Sequence, residues 1–226
     1  MLANLVNLFF PQVCAGCDQF LNTGEYIICT QCRHDIPMTN HHRYCDNEAY
    51  EKFYGKLPVC FASALCYFHK KGVVHQMIHK LKYGGQEEIG TALGYWYAEE
   101  LKNTTQIDQI DAIIPVPLHK RRRRERGYNQ VSAFGKALSD GLGIPFNEQI
   151  LVRNIYSQSQ TRKNRAGRSA NSKSVFDIVY NIDDEHKHYL LIDDVLTTGA
   201  TLEACGRALL QIEGVQLSIV CIAMAK

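Results

Sequence analysis

Residues 190–201 constrain the fold of this 226-residue chain more than any other segment. Three large apolar residues, Leu190 to Ile192, are followed by Asp193 and Asp194 and then by a loop of small residues. A short apolar run of this kind is typical of a buried strand. Polar groups at the carboxyl end of such a strand lie where open α/β sheets bind ligands. The segment therefore predicts an α/β sheet with a ligand site at this strand end.

The loop that follows has the composition of an anion-binding loop. Backbone N–H groups that lead into a helix N-terminus attract phosphate, and a glycine allows the ligand to approach closely. Because carboxylates repel phosphate, Asp193 and Asp194 are expected to bind sugar hydroxyls or a Mg²⁺ ion. The alternative to a ligand site is a strand that ends in solvated aspartates before a capped helix. That alternative does not explain the hydroxyl-rich loop. The predicted phosphate-binding residues are Thr197, Thr198, Gly199, Ala200 and Thr201.

Strands and helices alternate along the chain from about residue 60 onward. Short apolar runs predict the strands, and apolar residues at helical spacing predict the helices. Such alternation predicts a parallel sheet with helices on both faces. The predicted strands are 60–68, 110–116, 189–192 and 215–223, and the predicted helices are 73–83, 88–102, 129–142 and 202–212.

Five of the nine cysteines lie within residues 11–45. Two C-x2-C pairs in this segment can supply the four tetrahedral thiolates of a structural zinc site. Free cysteines and a redox pair are the alternatives. A metal would also keep folded a segment that has little apolar periodicity of its own. The predicted metal ligands are Cys14, Cys17, Cys29 and Cys32.

The sequence gives no signal for secretion or for a membrane span. The apolar run that begins at Leu2 ends at Pro11, which is too short to cross a bilayer. Clustered cysteines without a secretion signal favour a cytoplasmic protein. The net charge is only +2, so any basic character is local. We predict a zinc-binding module at residues 1–55 and an α/β domain at residues 56–226.

Six basic residues lie within positions 120–126, just after the predicted strand 110–116. Arginine side chains suit a dense anion such as pyrophosphate. A solvated helix face and a nucleic-acid patch are the alternatives. A further polar stretch, residues 157–171, is either a surface loop or a lid that closes over a reacting centre to exclude water.

These features together resemble the ComF/GntX proteins, a competence-linked family of phosphoribosyltransferase-like proteins with an N-terminal zinc ribbon. The resemblance covers nearly the whole chain, and the matching segments occur in the same order as in the family. Residues 190–201 by themselves look like the signature with which type I phosphoribosyltransferases bind phosphoribosyl pyrophosphate (PRPP). The matching parts are the paired cysteines, residues 79–83, residues 115–130, Gln160 with Arg168 and Asn171, and residues 193–201.

The resemblance implies a type I phosphoribosyltransferase core that binds PRPP with Mg²⁺. Asp193 and Asp194 would be catalytic residues that hold the ribose 2′- and 3′-hydroxyls, and the loop 197–201 would surround the 5′-phosphate. The implied pyrophosphate-binding residues are Pro115, Val116, Pro117, Leu118, His119 and Arg126. The implied lid residues are Gln160, Arg168 and Asn171.

The resemblance also implies a role in DNA uptake, competence or the use of DNA as a nutrient. As an enzyme, the chain would transfer a phosphoribosyl group from PRPP to an unidentified acceptor and release pyrophosphate. Thr197 stands where purine-salvage enzymes carry an acidic residue, so no general base toward a purine is predicted. Cys45 has no near partner, so a second metal site is not predicted.

Two other hypotheses do not require catalysis. In the first, the chain is a single-stranded DNA-binding protein of the transformation machinery that uses the PRPP pocket as a sensor or relic. Arginines at 121–126 would then contact phosphates, and Tyr128 could stack on a base. In the second, the zinc ribbon docks a helicase-like partner of DNA uptake, although no residue favours this idea directly.

Overall fold

The computed structural model describes residues 12–153 and 175–226, except for the side chains of Lys120 and Arg121. The N-terminal apolar run and the predicted lid residues, Gln160, Arg168 and Asn171, lie outside this part of the chain. Its α-helices are α1 (Thr30–Asp35), α2 (Glu48–Glu51), α3 (Val73–Tyr83), α4 (Glu87–Leu101), α5 (Lys120–Arg126), α6 (Gln130–Leu142) and α7 (Ala200–Leu209). Its strands are β1 (Phe61–Phe68), β2 (Ala112–Pro115), β3 (Leu151–Arg153), β4 (Phe176–Ile178), β5 (His188–Leu196) and β6 (Gln216–Ala225).

The main sheet has four strands in the order β1-β6-β5-β2, and every neighbouring pair is parallel. The central strands β5 and β6 are buried along most of their length. A strand covered on both faces needs a continuous apolar run, which both sequences supply. The predicted parallel sheet is confirmed.

Helices cover both faces of this sheet, as predicted. On one face α3, α4 and α6 pack Leu81, Leu93 and Phe134 into the core that contains Leu190 and Ile192. On the other face α7 packs into the core that contains the alternate residues of the same strands. Because side chains alternate along a strand, residues adjacent in β5 belong to opposite cores.

Several element boundaries differ from the predictions. Helix α3 has the predicted bounds, Val73–Tyr83. Strand β5 was predicted to end at Ile192 but continues to Leu196, so that both aspartates lie within the strand and not after it. The antiparallel pair of strands β3 and β4 was not predicted, because each strand is three residues long and shows no periodicity.

The cysteine-rich segment packs directly against the α/β part. Ala15 and Ile36 belong to the same core as α3 and α4. Lys80 of α3 donates a 3.3 Å hydrogen bond to the carbonyl of Cys14 and pairs with Asp18. The first cysteine pair is thus held against the outer side of α3. In the described ranges, no helix combines the length and the apolar character that crossing a membrane requires.

Candidate sugar-phosphate site

A cleft of about 790 Å³ lies at the carboxyl ends of β2 and β5. It brings together residues from several segments that are distant in sequence, including the strand-end carboxylates, the threonine loop and the basic helix α5. Its lining residues are Phe68, Lys82, Val116, Pro117, Leu118, His119, Arg122, Glu125, Arg126, Gln130, Arg153, Asp193, Asp194, Val195, Thr197 and Thr201.

Asp194 is held by two partners on the face of the sheet covered by α3 and α6. Its side chain is buried, and one carboxylate oxygen lies 2.9 Å from Nζ of Lys82. Nε2 of Gln130 donates to the other oxygen at 2.7 Å. The carboxylate is therefore fixed in one orientation with its charge balanced.

Asp193 lies on the opposite face, near the buried thiols of Cys205 and Cys221. One of its carboxylate oxygens accepts a hydrogen bond from the backbone N–H of Asp194 at 2.8 Å. Burial raises the pKa of Asp193 to about 7, and the negative charge of Asp194 adds to this effect. The two adjacent aspartates thus have different partners on opposite faces of the sheet.

The loop after β5 turns into α7 through Gly199. This glycine has a φ of +81°, a left-handed conformation that disfavours side chains, and an added Cβ would lie 3.2 Å from the ring of Phe53. Thr197 and Thr201 line the cleft. Thr198 and Ala200 do not line it, and the Thr198 hydroxyl accepts a 3.4 Å hydrogen bond from the N–H of Ala200.

Three consecutive residues, Tyr128 to Gln130, tie the cleft to the surrounding elements. The Tyr128 hydroxyl donates to the carbonyl of Leu81. Asn129 caps α6 and donates from its amide to the carbonyl of Val116 at 3.1 Å. Gln130 then reaches Asp194. This short segment fixes the relative positions of the helices and strands that form the cleft.

Most of the candidate pyrophosphate residues line one wall of the cleft. Pro115 does not line it, and the backbone N–H of Val116 already has a partner. Pro115 lines a neighbouring cleft instead. The N–H of Val116 donates to the carbonyl of Ile192 at 2.9 Å, so it is already engaged. Pro117, Leu118, His119 and Arg126 line the main cleft. Arg126 also lies 4.8 Å above the ring of Tyr83, which orients its guanidinium.

Curated relatives match most of the chain. Competence protein F of Haemophilus influenzae is 28% identical over 220 residues, which are 92% of this chain and 96% of that protein. The DNA utilization protein YhgH of Escherichia coli (strain K12) is 25% identical over 213 residues, 93% of this chain and 89% of that protein. The chain is a homologue of these proteins.

This result confirms the resemblance to the ComF/GntX family. Competence protein ComFC of Bacillus subtilis is 30% identical over 139 residues, which are 62% of this chain and 54% of that protein. No family model matches the chain.

Solved phosphoribosyltransferases are similar to part of the chain. A purine phosphoribosyltransferase from Pyrococcus horikoshii is 22% identical, has a TM-score of 0.37, and is matched over 59% of this chain and 72% of its own. An adenine phosphoribosyltransferase from Leishmania donovani is 14% identical, has a TM-score of 0.37, and is matched over 79% and 80%.

The structure adds lining residues that were not among the candidates from the sequence. Lys82 and Gln130 stand within segments that resembled the family, but their contacts with Asp194 depend on how α3 and α6 pack. Arg153 ends the unpredicted strand β3, and its guanidinium lies 5.1 Å from the ring of Phe176. Arg122 was one of several basic residues in α5, and only the helix geometry turns it toward the cleft.

The four predicted metal ligands form one cluster away from this cleft. Their Sγ atoms all lie within 4.8 Å of one another, and those of Cys17 and Cys29 are 3.8 Å apart. A tetrahedral zinc ion with bonds of about 2.3 Å places its sulfur ligands about 3.8 Å apart. The cluster could therefore hold a structural metal ion.

The acidities in the cluster also fit a cation. Burial opposes ionisation of Cys14, but backbone N–H groups of Cys29 and Gly16 donate to its sulfur at 3.2 and 3.3 Å and lower its pKa to about 7. Burial raises the pKa of Cys32, and the other sulfurs raise it further. Four adjacent thiolates need a positive charge at their centre, which a metal supplies.

Proposed function

We propose that the cleft binds PRPP and that the chain is a phosphoribosyltransferase-like protein of DNA uptake or DNA utilisation. The supporting observation is that Asp193, Thr197, Thr201 and Arg126 line one cleft although α5 and β5 are far apart in sequence. The names of the relatives refer to competence and to DNA utilization, which supports the cellular role. We place the protein in the cytoplasm.

Each part of PRPP has a matching region in this cleft. The 5′-phosphate would lie at the N-terminus of α7, where Thr197 and Thr201 supply hydroxyl donors beside the helix dipole. The ribose hydroxyls would donate to the carboxylates of Asp193 and Asp194. The pyrophosphate would lie against Arg126 and the wall that precedes it.

A Mg²⁺ ion could bind in this cleft mainly through the phosphate oxygens of PRPP. Mg²⁺ in phosphate sites is held by one or two carboxylates together with phosphate oxygens. The carboxylate of Asp194 already has Lys82 and Gln130 as partners, so the pyrophosphate oxygens of PRPP would be the main ligands of the ion. When bound, Mg²⁺ would neutralise charge on the leaving pyrophosphate.

In the transfer reaction, the bond between ribose C1′ and the pyrophosphate oxygen breaks, and a bond from the acceptor to C1′ forms. The pyrophosphate leaves with the bonding electron pair, and Arg126 and Arg122 would stabilise its charge. Positive charge develops on the ribose ring in this process, and the negative charge of the nearby carboxylates would stabilise it. Because Thr197 stands where purine-salvage enzymes carry an acidic residue, the acceptor would lose its proton to another group.

Calorimetry with PRPP and Mg²⁺ tests the binding proposal. We expect the wild type to bind, and Asp193→Asn and Thr201→Val each to weaken binding by at least about tenfold, the scale of one charge-assisted hydrogen bond. Glu203→Gln is the control, because Glu203 lies in the same helix as Thr201 but does not line the cleft. This variant should bind PRPP like the wild type. Unchanged affinity in both cleft variants would contradict the proposal.

Release of pyrophosphate tests the transfer step separately. The wild type, PRPP and Mg²⁺ are incubated with a panel of bases, nucleosides and amines, and pyrophosphate is measured. Turnover with one acceptor that is lost in Asp193→Asn would support transfer. Binding without turnover on any acceptor would support a sensor role for the pocket.

Direct binding of single-stranded DNA is a second candidate function, because α5 presents exposed arginines. Arg122, Arg123 and Arg124 are exposed on this helix. Tyr128, predicted to stack on a base, is half-buried, and its hydroxyl donates to the carbonyl of Leu81. Tyr83 is 67% exposed and lies beside Arg126, and it is the better candidate for stacking.

Fluorescence anisotropy with a labelled oligonucleotide at several salt concentrations tests this second function. Replacing Arg123 and Arg124 by alanine should weaken binding and reduce its salt dependence, because fewer counterions are released. Asp193→Asn should leave DNA binding unchanged. Equal binding by the arginine variant and the wild type would exclude α5 as a DNA contact.

A further inference from the structure

The carboxylate of Asp194 is neutralised by a cation that belongs to the chain itself. Nζ of Lys82 lies 2.9 Å from one oxygen, and the Lys82 side chain is 22% exposed whereas that of Asp194 is 7% exposed. An ion pair so shielded from water is screened little by salt. A divalent cation at this carboxylate would lie against the ammonium group of Lys82, and the two positive charges would repel each other.

The position of Lys82 is fixed by its neighbours in α3. Leu81 is fully buried, and its carbonyl accepts the hydroxyl of Tyr128. The helix ends at Gly84, whose N–H donates to the carbonyl of Lys80 at 2.7 Å. Lys80 itself is tied to the cysteine-rich segment. The backbone of Lys82 is therefore anchored on both sides, which keeps its ammonium group within reach of Asp194.

The other carboxylate of the pair is also partly engaged. One oxygen of Asp193 accepts the backbone N–H of Asp194 at 2.8 Å, and the buried thiols of Cys205 and Cys221 lie beside it. Mg²⁺ is a hard cation that gives up its water reluctantly, and it needs well-charged oxygen ligands to do so. Lys82 thus already holds the position beside Asp194 that a magnesium ion would need.

We propose that Lys82 takes the place of a protein-bound divalent cation, so that the chain binds the ribose 5-phosphate part of its ligand without Mg²⁺. Lys82 balances the charge of Asp194 and orients its carboxylate. A carboxylate has about four acceptor sites, so Asp194 can still accept a ribose hydroxyl beside Lys82 and Gln130. Mg²⁺ then enters the cleft only with the pyrophosphate group. This inference rests on the proposed function, because it assumes a ribose phosphate in the cleft.

The test uses ribose 5-phosphate, which carries the ribose hydroxyls and the phosphate but lacks the pyrophosphate that itself binds Mg²⁺. Calorimetry is carried out in buffer freed of divalent ions and in the same buffer with added Mg²⁺. No chelator is added, so the cysteine cluster is left intact. The proteins are the wild type, Lys82→Met, Lys82→Arg and, as a control, Lys71→Met, which changes an exposed lysine outside the cleft.

We expect the wild type, Lys82→Arg and Lys71→Met to bind ribose 5-phosphate with the same affinity, within about twofold, in both buffers. Lys82→Met should lose about tenfold in metal-free buffer and recover when Mg²⁺ is added, because the ion can then occupy the vacated position beside Asp194. Circular dichroism shows whether Lys82→Met is folded. If it is not, the wild type and Lys82→Arg alone decide, by the presence or absence of a Mg²⁺ effect.

Two results would overturn the inference. One is wild-type binding of ribose 5-phosphate that rises more than about fivefold with Mg²⁺. The other is a folded Lys82→Met variant with unchanged metal-free affinity. If PRPP binds with Mg²⁺ while either result is found, the proposed function stands and the inference alone fails. If neither PRPP nor ribose 5-phosphate binds under any condition, both fail.

Discussion

Three buried histidines make the stability of the fold depend on pH. His41, His42 and His188 are each less than a tenth exposed. Burial lowers the pKa of all three, and for His41 it outweighs the opposing charge of Glu48. Among the residues that the structure describes, neither ring nitrogen of His41 has a hydrogen-bond partner, and the ring packs edge-on against Tyr67. His41 is therefore a buried neutral group whose protonation is unfavourable.

These histidines should make the fold less stable in mild acid. Their pKa values are lower in the folded state, so the unfolded chain takes up protons first as the pH falls below about 6.5. The stability they allow is fully present above that pH and is lost below it. We measure Tm by thermal unfolding at about pH 7.5 and about pH 5. The fall in Tm between these two pH values should be smaller in His41→Phe than in the wild type by about 2 °C or more.

His69→Phe is the matched control, because His69 is exposed. It should follow the acid dependence of the wild type, including any part that comes from the cysteine cluster. If His41→Phe and His69→Phe lose stability alike in acid, His41 is not a source of the acid sensitivity.

At the level of helices and strands, periodicity and caps predicted most of the architecture. Helix α3 was predicted with its observed ends, because the apolar residues of its buried face are regularly spaced. Helix α6 begins after the capping side chain of Asn129 and ends at Gly143, which has a φ of +72°. These signals are local, so they can be read without knowing the rest of the fold.

Elements without a local signal were missed or cut short. The apolar run of β5 is interrupted by Asp193, so the strand was predicted to stop before it. Backbone pairing with β6 extends the strand to Leu196 regardless of these charges. The candidate site shows the same limit. The motifs pointed to Asp193 and the threonine loop, whereas the pairing of Lys82 with Asp194 arises from tertiary packing.

The contact between α4 and α6 depends on small residues. A Cβ added to Gly94 would lie 2.6 Å from the carbonyl oxygen of Phe134 and 2.6 Å from Cβ of Ala137. Glycine to alanine in a helix normally stabilises by up to about 1 kcal/mol. Here we expect Gly94→Ala to destabilise by about 1–3 kcal/mol, because the two helices must move apart.

Urea unfolding measures this change. Glu99→Ala, on the exposed side of the same helix, should lie within about 0.5 kcal/mol of the wild type. A gain in stability in Gly94→Ala would show that the helices are not in close contact at this point.

At the scale of the whole molecule, the cysteine cluster could hold a structural metal ion that contributes to folding. We expect the purified chain to contain about one equivalent of zinc, measured by mass spectrometry. Cys29→Ser should lose this zinc and lower Tm by on the order of 10 °C, because metal-binding free energy of a few kcal/mol is lost from folding.

Cys45→Ser is the control for this experiment. Cys45 is exposed and is not one of the clustered ligands. The variant should keep both the zinc content and the Tm of the wild type. A zinc-free wild type with the same Tm as Cys29→Ser would argue for four reduced thiols instead of a metal site.

Helix α3 touches both functional regions of the molecule. Lys80 holds the first cysteine pair, and two residues later Lys82 holds Asp194 in the cleft. If zinc orders the cysteine cluster and so steadies this helix, then zinc and the sugar phosphate must each raise the affinity of the chain for the other by the same factor. A cell short of zinc would then hold a protein that also responds less to its phosphorylated sugar.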